Sequence, residues 1–188
     1  MTTFARVLAA SGVVLLVVLV AVGVAVIPAV PVSAADGLTR AQQDETLDAH
    51  NAWRRLAGVM PLRWAADLAD RAQARAAYLA AHGCLMVHGP LPADVGENLF
   101  RAGPLRATGR PNVVLAISPA SVVDWWGEEA ADYAHERDAC APGRQCGHYT
   151  QIVWAATREV GCGTAVCPTL GQVWVCNYRP RGNVRVRR

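Results

Sequence analysis

The hydrophobic pattern divides the chain at about residue 36. Before it, Val7 to Ile27 runs without a single charge. After it, apolar residues recur first at helical spacing and later at alternate positions. Thr39-Arg40-Ala41-Gln42 has the form of a capping box, in which Thr39 accepts from the first turn and Gln42 reaches back. A helix is expected from about Arg40 to Ala57, stopped by Gly58, and Val59-Met60-Pro61-Leu62 reads as a short extended link. A second helix should run from about Ala65 to His82, with Leu68, Ala72, Ala76 and Leu79 on one face and Gly83 as its stop. Cys84 to Pro119 breaks into Gly, Pro, Arg and short apolar pieces, the pattern of a long loop. Ser118 as N-cap and Pro119 at the first helical position open a third helix to about Ala130, with Val122, Trp126 and Glu129 on one side. Alternation then predicts three strands: Tyr149 to Trp154, Val160 to Val166 and Val173 to Tyr178, the last two joined by a turn at Thr169-Leu170-Gly171-Gln172. Helices first and antiparallel strands last argue for an α+β domain. On the first strand, His148 and Thr150 would share a face with Ile152 and Trp154, which makes His148 a rigidly held candidate site residue.

The apolar run before residue 36 changes the picture of where the domain resides. It is longer than the roughly 7–15 residues of an ordinary signal core and close to the ~20 needed to span a bilayer. Small residues at Val32-Ser33-Ala34-Ala35 suit signal peptidase, whereas Arg6 would flank an uncleaved anchor. Residues 1–35 are therefore read as a signal peptide or membrane anchor, residues 36–184 as the exported domain and residues 185–188 as a basic tail. The six cysteines, Cys84, Cys140, Cys146, Cys162, Cys167 and Cys176, all follow the leader. An even set in an exported domain of this size points to three disulfides, with fifteen pairings open. A structural zinc site usually takes two close ligand pairs, with two to four residues between paired cysteines, and the six cysteines do not supply two such pairs. The formal net charge is +3, carried by arginine alone, with Arg179, Arg181, Arg185, Arg187 and Arg188 crowding the end. An exported protein meets anionic lipid or envelope before nucleic acid, so no nucleic-acid partner is expected and the end reads as a solvated terminus.

The motifs along the chain carry a resemblance. His50-Asn51-Ala52-Trp53-Arg54 and Pro61-Leu62-Arg63-Trp64 are followed by Cys84-Leu85-Met86-Val87-His88, Gly96-Glu97-Asn98-Leu99 and Trp126-Gly127-Glu128-Glu129. Gly147-His148-Tyr149-Thr150-Gln151-Ile152-Val153-Trp154 and Val175-Cys176-Asn177-Tyr178-Arg179-Pro180-Arg181-Gly182-Asn183 complete the series. Over roughly residues 40–184 the chain resembles the CAP superfamily (cysteine-rich secretory proteins, antigen 5 and pathogenesis-related proteins of group one), and is most similar to the plant pathogenesis-related single-domain type. The resemblance implies a disulfide-stapled three-layer α-β-α sandwich with a central antiparallel sheet, the CAP/SCP fold. It implies that His88, Glu97, Glu129 and His148 converge in a groove. It also implies the pairings Cys84–Cys167, Cys140–Cys146 and Cys162–Cys176. One departure is the longer spacing around Pro104 to Leu115, expected to form a loop at the groove. That loop carries no aromatic residue, whereas sterol-binding members often place an aromatic-bearing loop there.

Two histidines with two glutamates suit a weakly held divalent ion, zinc, magnesium or calcium. His88 and His148 would ligate through neutral imidazole, with Glu97 and Glu129 orienting them or reaching the ion through water. Two protein nitrogens fall short of a structural zinc site, so the ion is expected to be exchangeable and not essential. His50 and His82 on helices read as structural or exposed, and His135 in a charged loop as solvated. For Glu128 a solvated helix face is the default. A purely structural His–Glu network is the plain alternative for the four. Catalysis has thinner support. The mature part has only Ser118 and Ser121, all cysteines are committed, and no HExxH helix occurs. If the domain were a metal-dependent hydrolase, Glu97 and Glu129 would be its catalytic carboxylates. The leading expectation is a secreted or surface-tethered, monomeric binding protein for a lipid, a sterol-like molecule, or an envelope or host component. A structural surface domain without a small ligand is the third reading. Membrane contact would run through the N-terminal segment if it stays uncleaved.

Overall fold

This computed structural model describes residues 37–184. The apolar leader and the basic tail over 185–188 lie outside the described residues. Among the described residues, no helix is long and apolar enough to cross a membrane. Helix α1 spans Arg40–Leu56 and begins with the expected capping box: Thr39 accepts from the Gln42 amide while the Gln42 side chain accepts from Thr39. Helix α2 spans Ala66–Ala81, and Leu68, Ala72, Ala76 and Leu79 are all buried along it. Gly58 and Gly83 follow these two helices at φ of +69° and +76°, the left-handed stop that glycine permits. Helix α3 spans Pro119–Gly127 behind the Ser118 cap, then tightens into a 3-10 turn over Glu128–Asp132. The expected third helix thus holds its start but ends three residues early.

Strands β5 (Glu159–Val166) and β6 (Gln172–Arg179) pair antiparallel, with Leu170 at φ +63° in the tight turn between them. Two further strands join them. The first is β1 (Arg63–Trp64), parallel to β5 for two residues; the second is β2 (Gly96–Ala102), antiparallel to β6 along its full length. The order is β1-β5-β6-β2, so the sheet is antiparallel through its three long strands. Two residue pairs, β3 (Tyr133–Ala134) and β4 (Ala139–Cys140), make a separate ribbon.

Alternate residues of β6 face opposite layers. Val173 and Val175 pack with Ala72, Ala76 and Leu79 of α2. Trp174, Cys176 and Tyr178 pack with Val122, Val123 and Trp126 of α3, with Ile152 alongside. This is the three-layer α-β-α sandwich. Helix α2 sits so close to β5 that a Cβ on Gly161 would lie 2.2 Å from the Ala69 nitrogen, and one on Gly163 would lie 2.5 Å from the Gln73 backbone. Only glycine fits beneath the helix there. The three disulfides are Cys84–Cys167, Cys140–Cys146 and Cys162–Cys176, and the last joins register partners on β5 and β6.

Two expectations are corrected. Residues 149–154 do not form a strand: Gly147–Ile152 is a short helix, α4. Its Tyr149, Gln151 and Ile152 are buried, and Thr150 Oγ donates to the Cys146 carbonyl one turn back at 2.9 Å. Alternation over so few residues is also compatible with one and a half helical turns. What decides for the helix is a distant acceptor for its first amides, described below. The loop expected from Cys84 to Pro119 is likewise interrupted by β2. Glu97, Asn98 and Leu99 are buried in succession there, which hides the strand period because the two polar residues face inward.

Candidate functional site

The motif His50-Asn51-Ala52-Trp53-Arg54 is framework. Thr46, His50 and Arg54 form a fully buried stripe at four-residue spacing along α1, and all three are polar. The His50 ring is bonded through Nδ1 to the Thr46 carbonyl at 2.7 Å and through Nε2 to the Tyr178 hydroxyl at 2.9 Å. Burial pulls its pKa from 6.5 down to about 4, the Thr46 bond opposing only part of that. Arg54 meets no carboxylate among the described residues. It donates to the carbonyls of Met60, Ile152, Trp154 and Thr157 at 2.6, 2.7, 3.0 and 3.0 Å, and burial lowers its pKa to about 10. Asn51 accepts from the Leu62 amide at 2.7 Å and donates to its carbonyl at 3.1 Å. These residues fasten α1 to the segment after α4 and to the link before β1.

The four candidates form two His–Glu pairs around edge strand β2. Glu97 projects from the α2 face of the strand with its side chain fully buried, and its Oε1 accepts from Nδ1 of His88 at 2.9 Å. His88 rides on the loop after α2, with 64% of its side chain exposed. Next along the strand, Asn98 faces the opposite layer and donates to the Tyr178 hydroxyl at 3.2 Å and to the His148 carbonyl at 3.1 Å. The second pair is tighter. Glu129, in the 3-10 turn, accepts from Nδ1 of His148 at 2.7 Å, from its amide at 2.9 Å and from the Tyr149 amide at 3.2 Å. These are first-turn amides of α4, which would otherwise lack acceptors. The His148 ring also stacks beside Trp126, centroids 6.0 Å apart.

His88, Glu97, Asn98, Gly147 and His148 line one cavity of about 320 Å³, and Glu129 stands behind His148. With Nδ1–H donated to a carboxylate, each imidazole keeps its Nε2 lone pair, and neither Nε2 has a partner among the described residues. That arrangement suits a ligand nitrogen oriented by a carboxylate. Among the described residues no three His, Cys, Asp or Glu side chains gather closely enough to hold an ion by themselves. The cavity is polar. The apolar lining lies elsewhere, in a space of about 540 Å³ bounded by Ala57, Val59, Val153, Trp154 and Val184.

Sequence reasoning had no role for Asn98 or Asn183, although both lie in the quoted motifs. Asn183 accepts from Thr150 Oγ at 2.7 Å and donates to the Gly147 carbonyl at 2.8 Å, tying down α4. His82 is exposed and stacks on Tyr78, as a surface histidine would. His135 is exposed but bonds Tyr149 Oη through Nε2 at 2.9 Å, so it is not simply solvated. Arg179 belongs to β6 and pairs with Glu159 and Asp67 at 2.6 Å each, which removes it from the solvated end.

The family model described as cysteine-rich secretory protein family, CAP, matches residues 47–178. Pathogenesis-related protein 1C of Nicotiana tabacum is 42% identical over 142 residues, 76% of this chain and 77% of the relative. Pathogenesis-related protein 1A1 of Solanum lycopersicum is 39% identical over 142 residues, 75% of this chain and 73% of the relative. Among solved structures, Na-ASP-1 is similar with a TM-score of 0.61 at 20% identity, over 79% of this chain and 41% of that one. NaASP2 with Zn2+ is similar with a TM-score of 0.58 at 21% identity, over 80% of this chain and 85% of that one. At such identities the structures speak to the fold alone. The ordered motifs, the α-β-α layers and the family match agree: the chain belongs to the cysteine-rich secretory protein (CAP) family.

Proposed function

We propose that this chain is an exported binding module that holds an exchangeable divalent ion between His88 and His148 and takes up a lipid or sterol-like molecule, or an envelope or host component. The observation that carries the first part is the pair of imidazoles on one cavity, each tied through Nδ1 to a carboxylate and each with Nε2 unshared. Such an ion would fix the two rings toward one another and offer its remaining positions to water or a ligand. The apolar part is supported by the space at Val59, Val153 and Trp154. Export is supported by three disulfides, which persist in oxidising compartments, and by the secretory character of the family.

Binding is preferred to hydrolysis because the described residues offer no side-chain nucleophile, and one of the two carboxylates that a metal-bound water would need as its base is already engaged. All six cysteines are in disulfides, and Ser118 and Ser121 bond each other at the start of α3. Glu129 is occupied by three donors. The test compares uptake with turnover in the wild-type exported protein, His148→Ala and Glu97→Gln, with Zn2+ supplied. His148→Ala should lose the ion and keep palmitate or cholesterol uptake, and no variant should hydrolyse peptide or ester substrates. Turnover by the wild type that disappears in Glu97→Gln would replace the binding reading with the hydrolase one.

A further inference from the structure

A second cavity, of about 660 Å³, lies against the α2 face of Glu97, between that helix and the loop at Gly89-Pro90-Leu91. Three buried polar side-chain atoms have no hydrogen-bond partner among the described residues: Arg75 Nε, Glu97 Oε2 and Asn177 Oδ1. All three residues line this one cavity. Buried polar atoms almost always have a hydrogen-bond partner, so three that lack one, on residues that line one cavity, point to what the space is built to receive.

The donor pattern narrows the ligand. Glu97 and Asn177 are register partners on β2 and β6, so their side chains stand side by side on the α2 face. Asn177 uses its Nδ2 on the Gly96 carbonyl at 3.3 Å, which fixes the unpaired atom as the acceptor Oδ1. Arg75 uses Nη2 on the Val87 carbonyl and lays its guanidinium over the Tyr78 ring, 5.2 Å from the centroid. Its Nε is left 3.9 Å from Glu97 Oε2, too far for a direct hydrogen bond. A single oxygen between them must accept from Nε and donate to Oε2, and a hydroxyl does both. Asn177 Oδ1 calls for a second donor close by. The lining carries both signs, Asp67 and Glu97 against Arg71 and Arg75, so it favours neither a lone anion nor a lone ammonium group throughout. Ala74, Pro90 and Leu91 supply apolar wall for C–H groups.

We propose that this cavity is a carbohydrate site. A neutral sugar would place one hydroxyl between Arg75 Nε and Glu97 Oε2, and a neighbouring hydroxyl on Asn177 Oδ1. The site uses the carboxylate oxygen that His88 does not, and it requires neither the ion nor the apolar ligand proposed above.

The full exported chain, labelled with 15N and free of added metal, is titrated separately with glucose, mannose, N-acetylglucosamine, glycine and inorganic phosphate. At least one sugar should shift the Arg75 Nε–Hε and Asn177 Nδ2 resonances together and saturably, while glycine and phosphate shift neither. Arg75→Met should weaken that sugar at least about tenfold, the scale of a lost hydrogen bond to a charged group. If Arg75→Met does not fold, the wild-type titration decides alone. No response to any sugar would mean that the three atoms serve only water and would overturn the proposal. A response to glycine or phosphate in place of sugar would overturn it equally.

Discussion

Glu129 accepts from both the Nδ1 and the backbone amide of His148, at 2.7 and 2.9 Å, and so orients an imidazole while capping the helix that carries it. The third bond, from the Tyr149 amide at 3.2 Å, completes the cap. Site geometry and the local fold of α4 therefore depend on one carboxylate. Glu129→Ala should cost about 2 kcal/mol of stability through the lost charge-assisted bonds. The loss should be local, with faster amide exchange over residues 147–152 before the rest of the domain. Glu129→Gln, which keeps one acceptor, should fall between. Hydrogen exchange by mass spectrometry checks this, and unchanged protection of α4 in Glu129→Ala would refute it.

That bond also explains what the sequence could and could not convey. Helices α1 and α2 were legible because their caps, apolar spacing and glycine stops lie within each segment: Thr39 with Gln42, Leu68 to Leu79, Gly58 and Gly83. Strands β5 and β6 were legible from alternation and a turn. α4 was not, because its first amides are satisfied by a residue 19 and 20 positions away. β2 was hidden by buried Glu97 and Asn98, whose partners His88, Tyr178 and His148 come from other elements. The four site residues and the disulfide pairing came from the ordered motifs of the resemblance. Spacing alone left fifteen pairings open.

Arg54 supports four backbone carbonyls and pairs with no carboxylate among the described residues. Arg54→Leu would leave those carbonyls buried and unpaired, and should destabilise the domain by at least ~3 kcal/mol, at about 1 kcal/mol or more for each group. Arg54→Lys should recover only part of this, because an ammonium lacks the planar fork that reaches four acceptors. Urea unfolding measures both. A loss below 1 kcal/mol in Arg54→Leu, roughly the effect of an ordinary surface change, would be inconsistent with this role.

His50 links stability to acidity. Its folded pKa, about 4, lies below its ordinary value of 6.5 because burial disfavours the charged ring. Between these values the unfolded chain binds a proton that the folded chain refuses, so stability rises with pH across that window. The contribution is fully present above 6.5 and is lost as pH falls toward 4. A shift of this size corresponds to about 3 kcal/mol. Chemical denaturation at pH values across the window should show this slope, and His50→Gln should remove it. An equal slope in the variant would place the effect on other groups.

The three disulfides should differ in worth. Cys84–Cys167 spans 83 residues of chain and Cys140–Cys146 only 6. On the loop-entropy account, replacing the first pair by serine should cost about 2 kcal/mol more than replacing the second. Thermal unfolding of the two double variants tests this, and equal losses would point away from a loop-entropy origin.

If His88 and His148 act together as a single ion site, the 15N resonances of their imidazole Nε2 atoms report it during Zn2+ titration. Both resonances should then move along one saturable curve. His148→Ala should abolish the His88 response, and acidification should release the ion as protons compete for the same nitrogens. Two rings that respond independently, or neither responding, would contradict it.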